Sequence, residues 1–145
     1  MLFRSTMQSL GMGAIGKSGR PLPTYLYHTL SVWHEINTAY TARNMSETRQ
    51  LRSEFADPLM HDRLVRTLRE KLGHRLIGSV EAAKVDVADG GMTAIDLGFL
   101  EDGLVTRLNE TTLCDSIDSC VSEIVDCASR LVTRSGLSRR DISAL

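Results

Sequence analysis

The fold class of this chain is decided by residues 75–108, which have the sequence RLIGSVEAAKVDVADGGMTAIDLGFLEDGLVTRL. Its first half predicts a helix, because apolar side chains recur at steps of three and four along one face, the predicted core face: Leu72, just before this stretch, then Leu76, Val80, Ala83 and Val87. The glycine pair at 90–91 is a natural stop for that helix. Apolar residues then alternate over 93–97, a turn-forming Glu-Asp-Gly occupies 101–103, and a second strand-like segment covers 104–108. This order predicts a helix followed by an antiparallel β-hairpin.

The chain before this stretch is predicted to be mainly helical. A short helix is expected over 2–10, followed by a glycine-rich loop that ends at Pro23. Helical spacing then predicts an amphipathic helix over 26–40 and another from Ser46 to Phe55. The longest periodic pattern predicts one continuous helix over 58–88, since proline is tolerated in a first helical turn.

The chain after the hairpin is predicted to form a further helix over 113–132, closed by Ser135 and Gly136. Residues 141–145 look like the start of a new strand, so we expect the chain to be a piece of a larger domain. We expect one domain over 1–145. It would comprise a short helix and glycine-rich loop over 1–23, a helical part over 24–89, and a hairpin, long helix and truncated strand over 90–145. The fold class expected is α+β, a small and mainly antiparallel sheet with several packed helices, one of them unusually long.

Composition excludes several classes of function. The chain has 145 residues with 17 Lys and Arg against 18 Asp and Glu, a net charge of −1. That balance predicts neither a nucleic-acid nor a membrane surface, and the start of the chain lacks a secretory signal, so a cytoplasmic location is expected. The three cysteines have no C-x-x-C spacing, so we expect small buried thiols and no metal site. No catalytic residue and no metal ligand is predicted.

The glycine-rich loop matches sequence motifs of phosphate-binding sites. Residues 11–18, GMGAIGKS, match the P-loop pattern G-x-x-x-x-G-K-[ST], and the first six of them also match the dinucleotide fingerprint G-x-G-x-x-G. Each mechanism needs a buried strand entering the glycines and a helix leaving them, whereas the loop leads into Gly19, Pro21 and Pro23. A flexible connector is the favoured interpretation, and a P-loop nucleotide hydrolase using Gly11 to Ser18 is kept as an alternative.

A second stripe on the helix over 75–88 carries the candidate binding residues. Helical spacing places Ile77, Glu81, Lys84 and Ala88 beside the predicted core face. A carboxylate and an ammonium one turn apart could bond a pair of vicinal hydroxyls, and the small residues would leave a flat surface for a purine ring. The simpler interpretation is a surface ion pair, which stabilises a helix by only about 0.2–0.5 kcal/mol.

This helix resembles one in the DnaK-type heat-shock chaperones. Residues 75–84 fit the R-L-x-x-x-x-E-x-x-K pattern of the lobe that closes over adenosine in these actin-like ATPases. The resemblance implies that Glu81 and Lys84 hold the ribose hydroxyls and that Val85 lies against the adenine. Ala88 stands where the family usually has a serine that bonds the base, so adenine selectivity is expected to differ.

The resemblance covers nearly the whole chain and is strongest over 51–145, where helix, hairpin, long helix and final strand follow the family's order. It looks closest to the divergent YegD-type bacterial branch. It implies that the chain contacts the adenosine of ATP or ADP, with Mg²⁺ held elsewhere in the intact parent, since the family's phosphate loops and catalytic residues lie outside it. We expect no hydrolysis by this chain alone, an ATPase in the parent, a nucleotide-exchange factor or co-chaperone as partner, and a monomer. A third hypothesis is a helical interaction module without a ligand, favoured if residues 26–40 expose an apolar stripe.

Overall fold

The computed structural model describes residues 4–88 and 90–136. Within them the chain forms seven α-helices, one 3₁₀ turn and a two-stranded antiparallel sheet, which confirms the α+β fold class. The elements in chain order are α1 (Arg4–Gln8), α2 (Tyr25–Ser31), α3 (Ile36–Ala39), α4 (Ala42–Gln50), the 3₁₀ turn (Leu51–Ser53), α5 (Pro58–Arg69), α6 (Gly73–Ala88), β1 (Met92–Asp96), β2 (Val105–Asn109) and α7 (Glu110–Arg134). The strand predicted over 141–145 lies outside the described residues.

The hairpin prediction is confirmed. β1 pairs with β2 in a register that runs from Met92 opposite Asn109 to Asp96 opposite Val105. In the turn, the Asp96 carboxylate accepts a hydrogen bond from the backbone N–H of Gly98 at 2.7 Å. Gly103 has a φ of 72°, which glycine adopts without the strain of a side chain. One face of the hairpin is buried, so the alternation in the sequence corresponds to a core side and a solvent side.

The helix predicted over 58–88 is wrong as a continuous element. It is divided into α5 and α6 by a turn in which Lys71 adopts a left-handed φ of 54°. Backbone N–H groups of the turn bond back to α5, from Leu72 to the Thr67 carbonyl at 2.9 Å. The longest helix is instead α7, with 25 residues, closed by Gly136 with a φ of 71°.

Two further helix boundaries differ from prediction. The expected helix over 26–40 is interrupted at Val32, whose extended φ and ψ of −112° and 110° end α2 before α3 begins. Helix α4 begins at Ala42, ahead of the predicted Ser46, because the Thr41 side chain caps it by accepting from the Asn44 N–H at 3.2 Å.

The core is one cluster of buried apolar side chains from α1, α2, α3, α5, α6, the hairpin and some of the segments between them. Eight of these side chains have no exposed surface: Met7, Leu10, Leu30, Ile36, Ala39, Leu76, Val80 and Leu97. Helix α7 is different, because none of its residues is buried. Within the described residues, no helix combines the length and apolarity needed to cross a membrane.

Candidate functional site

Helix α6 is held firmly along its core side. Leu76, Val80, Ala83 and Val87 are buried, as the spacing predicted. Ile77 is only 6% exposed, so it belongs to the core, and its assignment to the second stripe is wrong. Near the start of α6, the Arg75 guanidinium lies over the Phe99 ring, 4.2 Å from its centroid. This contact ties the helix to the turn of the hairpin.

The remaining residues of the second stripe, Glu81, Lys84 and Ala88, lie on the solvent side of α6. Val85, which the resemblance assigns to the adenine, lies on the same side, so that the four residues take the i, i+3, i+4 and i+7 positions of one helix face. The Lys84 ammonium donates a hydrogen bond to Glu81 Oε1. The side chains of Glu81 and Lys84 keep 57% and 28% of their surface exposed, so solvent reaches both groups.

Val85 gives this face its apolar part. Its side chain is 72% exposed, and Ala88 one turn further along adds no bulk. The four residues therefore form an open surface with a neutralised charge pair at one end and a small apolar area at the other.

The glycine-rich loop lacks the architecture of a phosphate site. Helix α1 precedes it and no helix leaves it; instead Ile15 forms a single β-bridge with Pro21. The backbone N–H of Gly16 donates to the Arg20 carbonyl at 2.7 Å, and that of Lys17 donates to the Glu54 carbonyl at 2.8 Å. The Ser18 N–H faces the Glu54 carboxylate at 3.4 Å. These amides, which a P-loop would direct at phosphate, are already bonded within the protein, and a carboxylate would repel an anion there.

The segment 26–40 does not present the apolar stripe that the interaction hypothesis requires. Leu26, Leu30 and Ile36 are buried in the core. Trp33 is 60% exposed, but its ring meets the edge of His74, with centroids 4.8 Å apart. A large exposed apolar surface is found instead on α7.

The prediction of buried thiols is wrong. Cys114, Cys120 and Cys127 are free and exposed, because α7 lies outside the core. Within residues 4–88 and 90–136, no group of His, Cys, Asp and Glu side chains is arranged to hold a metal ion.

Sequence analysis did not anticipate a cavity of about 280 Å³ between the segment around Leu26 and the α4–α5 region. At its mouth the Tyr25 hydroxyl donates to Glu47 Oε2 at 2.9 Å, and Arg43 Nε donates to Glu47 Oε1 at 2.7 Å. The bond from Arg43 is the main reason why the pKa of Glu47 is lowered. Both carboxylate oxygens are thus satisfied within the protein. No local motif could have indicated this cavity, because its walls come from separate segments.

The chain matches no protein-family model, and comparisons with curated proteins and with solved structures found no match either.

Proposed function

We propose that this chain is the adenosine-contacting lobe of an actin-like ATPase of the DnaK chaperone type, which closes over the ribose and adenine of ATP or ADP. The observation that carries the proposal is the surface formed by Glu81, Lys84, Val85 and Ala88 on α6, directly before the hairpin. The order of helix, hairpin and long helix supports it, because it is the order that the resemblance implies for this lobe.

The chemistry of the surface suits a nucleoside. A vicinal diol can donate one proton to the Glu81 carboxylate and accept one from the Lys84 ammonium. It would replace the existing contact, a solvent-exposed ion pair worth only about 0.2–0.5 kcal/mol, with two charge-assisted hydrogen bonds. The purine would then lie along the helix over Val85 and Ala88, where burial of the exposed valine contributes apolar contact.

The surface is less suited to phosphates, because its one ammonium is already neutralised by Glu81. The proposal therefore assigns the phosphates and Mg²⁺ to other parts of a parent ATPase, and this chain alone is not expected to hydrolyse ATP. A cytoplasmic parent and a nucleotide-exchange factor or co-chaperone as protein partner belong to the same proposal.

The test is an amide-resolved NMR titration of the chain with adenosine, 2′-deoxyadenosine and ADP, with and without Mg²⁺. We expect weak shifts around Glu81, Lys84 and Val85 that do not depend on Mg²⁺. Deoxyadenosine should bind several-fold more weakly than adenosine, because one of the two hydroxyls is missing. Mg²⁺-dependent shifts at Gly11 to Ser18 would overturn the proposal in favour of a P-loop.

Single-residue variants test whether Glu81 and Lys84 themselves bind the ligand. Glu81→Gln and Lys84→Met should each weaken adenosine binding roughly tenfold, because Glu81→Gln replaces a charge-assisted hydrogen bond with a weaker neutral one and Lys84→Met removes the ammonium donor. Glu70→Gln is a matched control, because Glu70 also forms an exposed ion pair within its helical segment, with Arg66 at 3.2 Å. Ala88→Ser should strengthen adenosine binding if a hydroxyl there reaches the base. Unchanged affinity in both Glu81→Gln and Lys84→Met would contradict the proposal.

A further inference from the structure

Helix α7 is the most unusual surface in the part of the chain that the structure describes. It extends over 25 residues without a single buried one. Large apolar side chains are nevertheless exposed along it: Ile117, Val121, Ile124, Val125 and Leu131, with 68% and 69% exposure at Ile124 and Leu131. A contiguous apolar strip of this kind on a folded protein marks a surface that another molecule covers.

The exposed residues follow a coiled-coil pattern. Steps of three and four residues alternate along a seam made of Cys114, Ile117, Val121, Ile124, Ala128 and Leu131. This is a heptad spacing with a positions at Cys114, Val121 and Ala128 and d positions at the others. The opposite side of the helix carries polar residues such as Ser119 and Asp126. The occupant that such a seam fits is another helix.

We propose that α7 pairs with α7 of a second copy of this chain, in antiparallel orientation. Side-chain volume favours this occupant. The d positions hold large residues and the a positions smaller ones, and an antiparallel pair places each large residue opposite a small one. The layers are Leu131 with Cys114, Ile117 with Ala128 and Ile124 with Val121. A parallel pair would instead place each residue opposite its own copy. Layers of two small side chains, such as Ala128 with Ala128, would then alternate with layers of two large ones, such as Ile124 with Ile124.

The charges along α7 favour the same orientation. Acidic residues occupy its first two thirds and basic residues its end: Glu110, Asp115, Asp118, Glu123 and Asp126, then Arg130 and Arg134. A parallel pair would superimpose the acidic parts, which repel each other. In the antiparallel register given above, Arg130 comes level with Asp115 of the second copy, and Arg134 lies one position from Glu110 of the second copy. Arg130 and Asp115 occupy outer c and b positions and do not pair directly, but the basic end of each helix runs alongside the acidic start of the other, which favours the antiparallel orientation.

This pairing goes beyond the proposed nucleotide site, which lies on α6, and departs from the monomer that the sequence predicted. In α7 only Leu113, near the start of the helix, is among the partly buried apolar residues that pack against the core, and the apolar residues from Ile117 to Leu131 named above are exposed. Pairing through α7 neither needs nor uses Glu81 and Lys84, so the two proposals can fail separately.

The first test is the solution mass of the 145-residue chain by sedimentation equilibrium, without nucleotide. We expect a concentration-dependent dimer of twice the 16.0 kDa chain mass. Ile124→Asp should weaken association on the order of a hundredfold, because each copy would bury an unpaired carboxylate. Ile124 is 68% exposed in the single chain, so this variant should still fold, as far-UV circular dichroism would check. Ser119→Asp, which adds the same charge on the polar side, should leave the dimer intact.

Cysteine cross-linking tests whether the two α7 helices are antiparallel. A variant that keeps Cys120 and Cys127 (Cys114→Ser) should give a covalent dimer with a short bismaleimide, since these residues of the two copies lie about 3 Å apart along the axis. A variant that keeps only Cys114 should not, because the two Cys114 residues would be about 25 Å apart. Cross-linking through Cys114, a monomeric mass at every attainable concentration, or a dimer unaffected by Ile124→Asp would each overturn the proposal.

Discussion

Replacing Gly73 with alanine tests how closely α6 is packed at its start. Gly73 is the first residue of α6 and is buried. A Cβ atom built there would lie 2.5 Å from the Tyr40 hydroxyl oxygen, 2.7 Å from Ile36 Cγ2 and 3.1 Å from Leu30 Cδ2. Ile36 and Leu30 are fully buried and cannot swing away. The Tyr40 hydroxyl cannot retreat freely either, because it accepts the Gly73 N–H at 2.9 Å.

The expected cost of Gly73→Ala follows from these contacts. Forcing one extra methyl into a packed core costs about 1–3 kcal/mol, and losing the bond to Tyr40 would add about 1 kcal/mol. The better helix propensity of alanine offsets up to about 1 kcal/mol. We expect a net loss of about 2 kcal/mol in unfolding free energy, which corresponds to a fall in Tm of roughly 4–8 °C for a chain of this size.

Gly78→Ala is the matched control, and thermal unfolding followed by far-UV circular dichroism is the assay. Gly78 lies in the same helix, and a Cβ there would meet no atom within 4 Å. The same chemical change should therefore stabilise the chain by about 0.5–1 kcal/mol. The reasoning is refuted if Gly73→Ala melts at or above the wild-type temperature, or if both variants shift Tm in the same direction.

Two further predictions concern buried polar contacts. Tyr27→Phe should lower the unfolding free energy by about 1–3 kcal/mol, because it removes the hydroxyl that donates to the Leu10 carbonyl at 3.1 Å. Burial raises the pKa of Tyr27, so the wild type, but not Tyr27→Phe, should lose stability from this group as pH rises above about 10 in urea titrations; equal alkaline loss would contradict this. Arg63→Met should also destabilise the fold, since Arg63 joins Glu101 at 2.6 Å and the Ser9 carbonyl at 2.9 Å. Arg63 lowers the pKa of Glu101, so its contribution is present above the ordinary carboxyl pKa of about 4.3 and is lost as pH falls. The destabilisation by Arg63→Met should therefore be larger at neutral pH than at about pH 3, and a cost that does not change with pH would show that the ion pair is not involved.

The elements predicted well from the sequence depend on neighbouring residues. The hairpin follows from alternation on both sides of a turn that ends in Gly103, and all these signals lie within a short stretch. The core face of α6 follows from the spacing of Leu76, Val80, Ala83 and Val87. In both cases the local preference and the buried side agree, so the sequence pattern is sufficient to predict both the element and its core face.

The errors arise where distant residues determine the local structure. Apolar spacing continues through Lys71, so nothing in the periodicity indicates the turn there. The structure shows a left-handed φ of 54° at Lys71 and begins α6 at Gly73, which lies against Tyr40 and Ile36 where no side chain fits. Similarly, GMGAIGKS matches a phosphate motif as a string, but its amides bond to Arg20 and Glu54.

For the candidate sites, too, some properties follow from the sequence alone and others only from the tertiary structure. Helical spacing alone determined that Glu81, Lys84 and Ala88 share a helix face and that 113–132 form a helix with regular apolar spacing, because both properties follow from the geometry of one helix. Val85 was added to that face only by the family resemblance. Only the tertiary structure decided which faces are covered. It buries Ile77, leaves Val85 open to solvent and leaves the apolar side of α7 and its cysteines exposed. The physical reason is that burial depends on which elements pack together, and spacing along one helix carries no information about its neighbours.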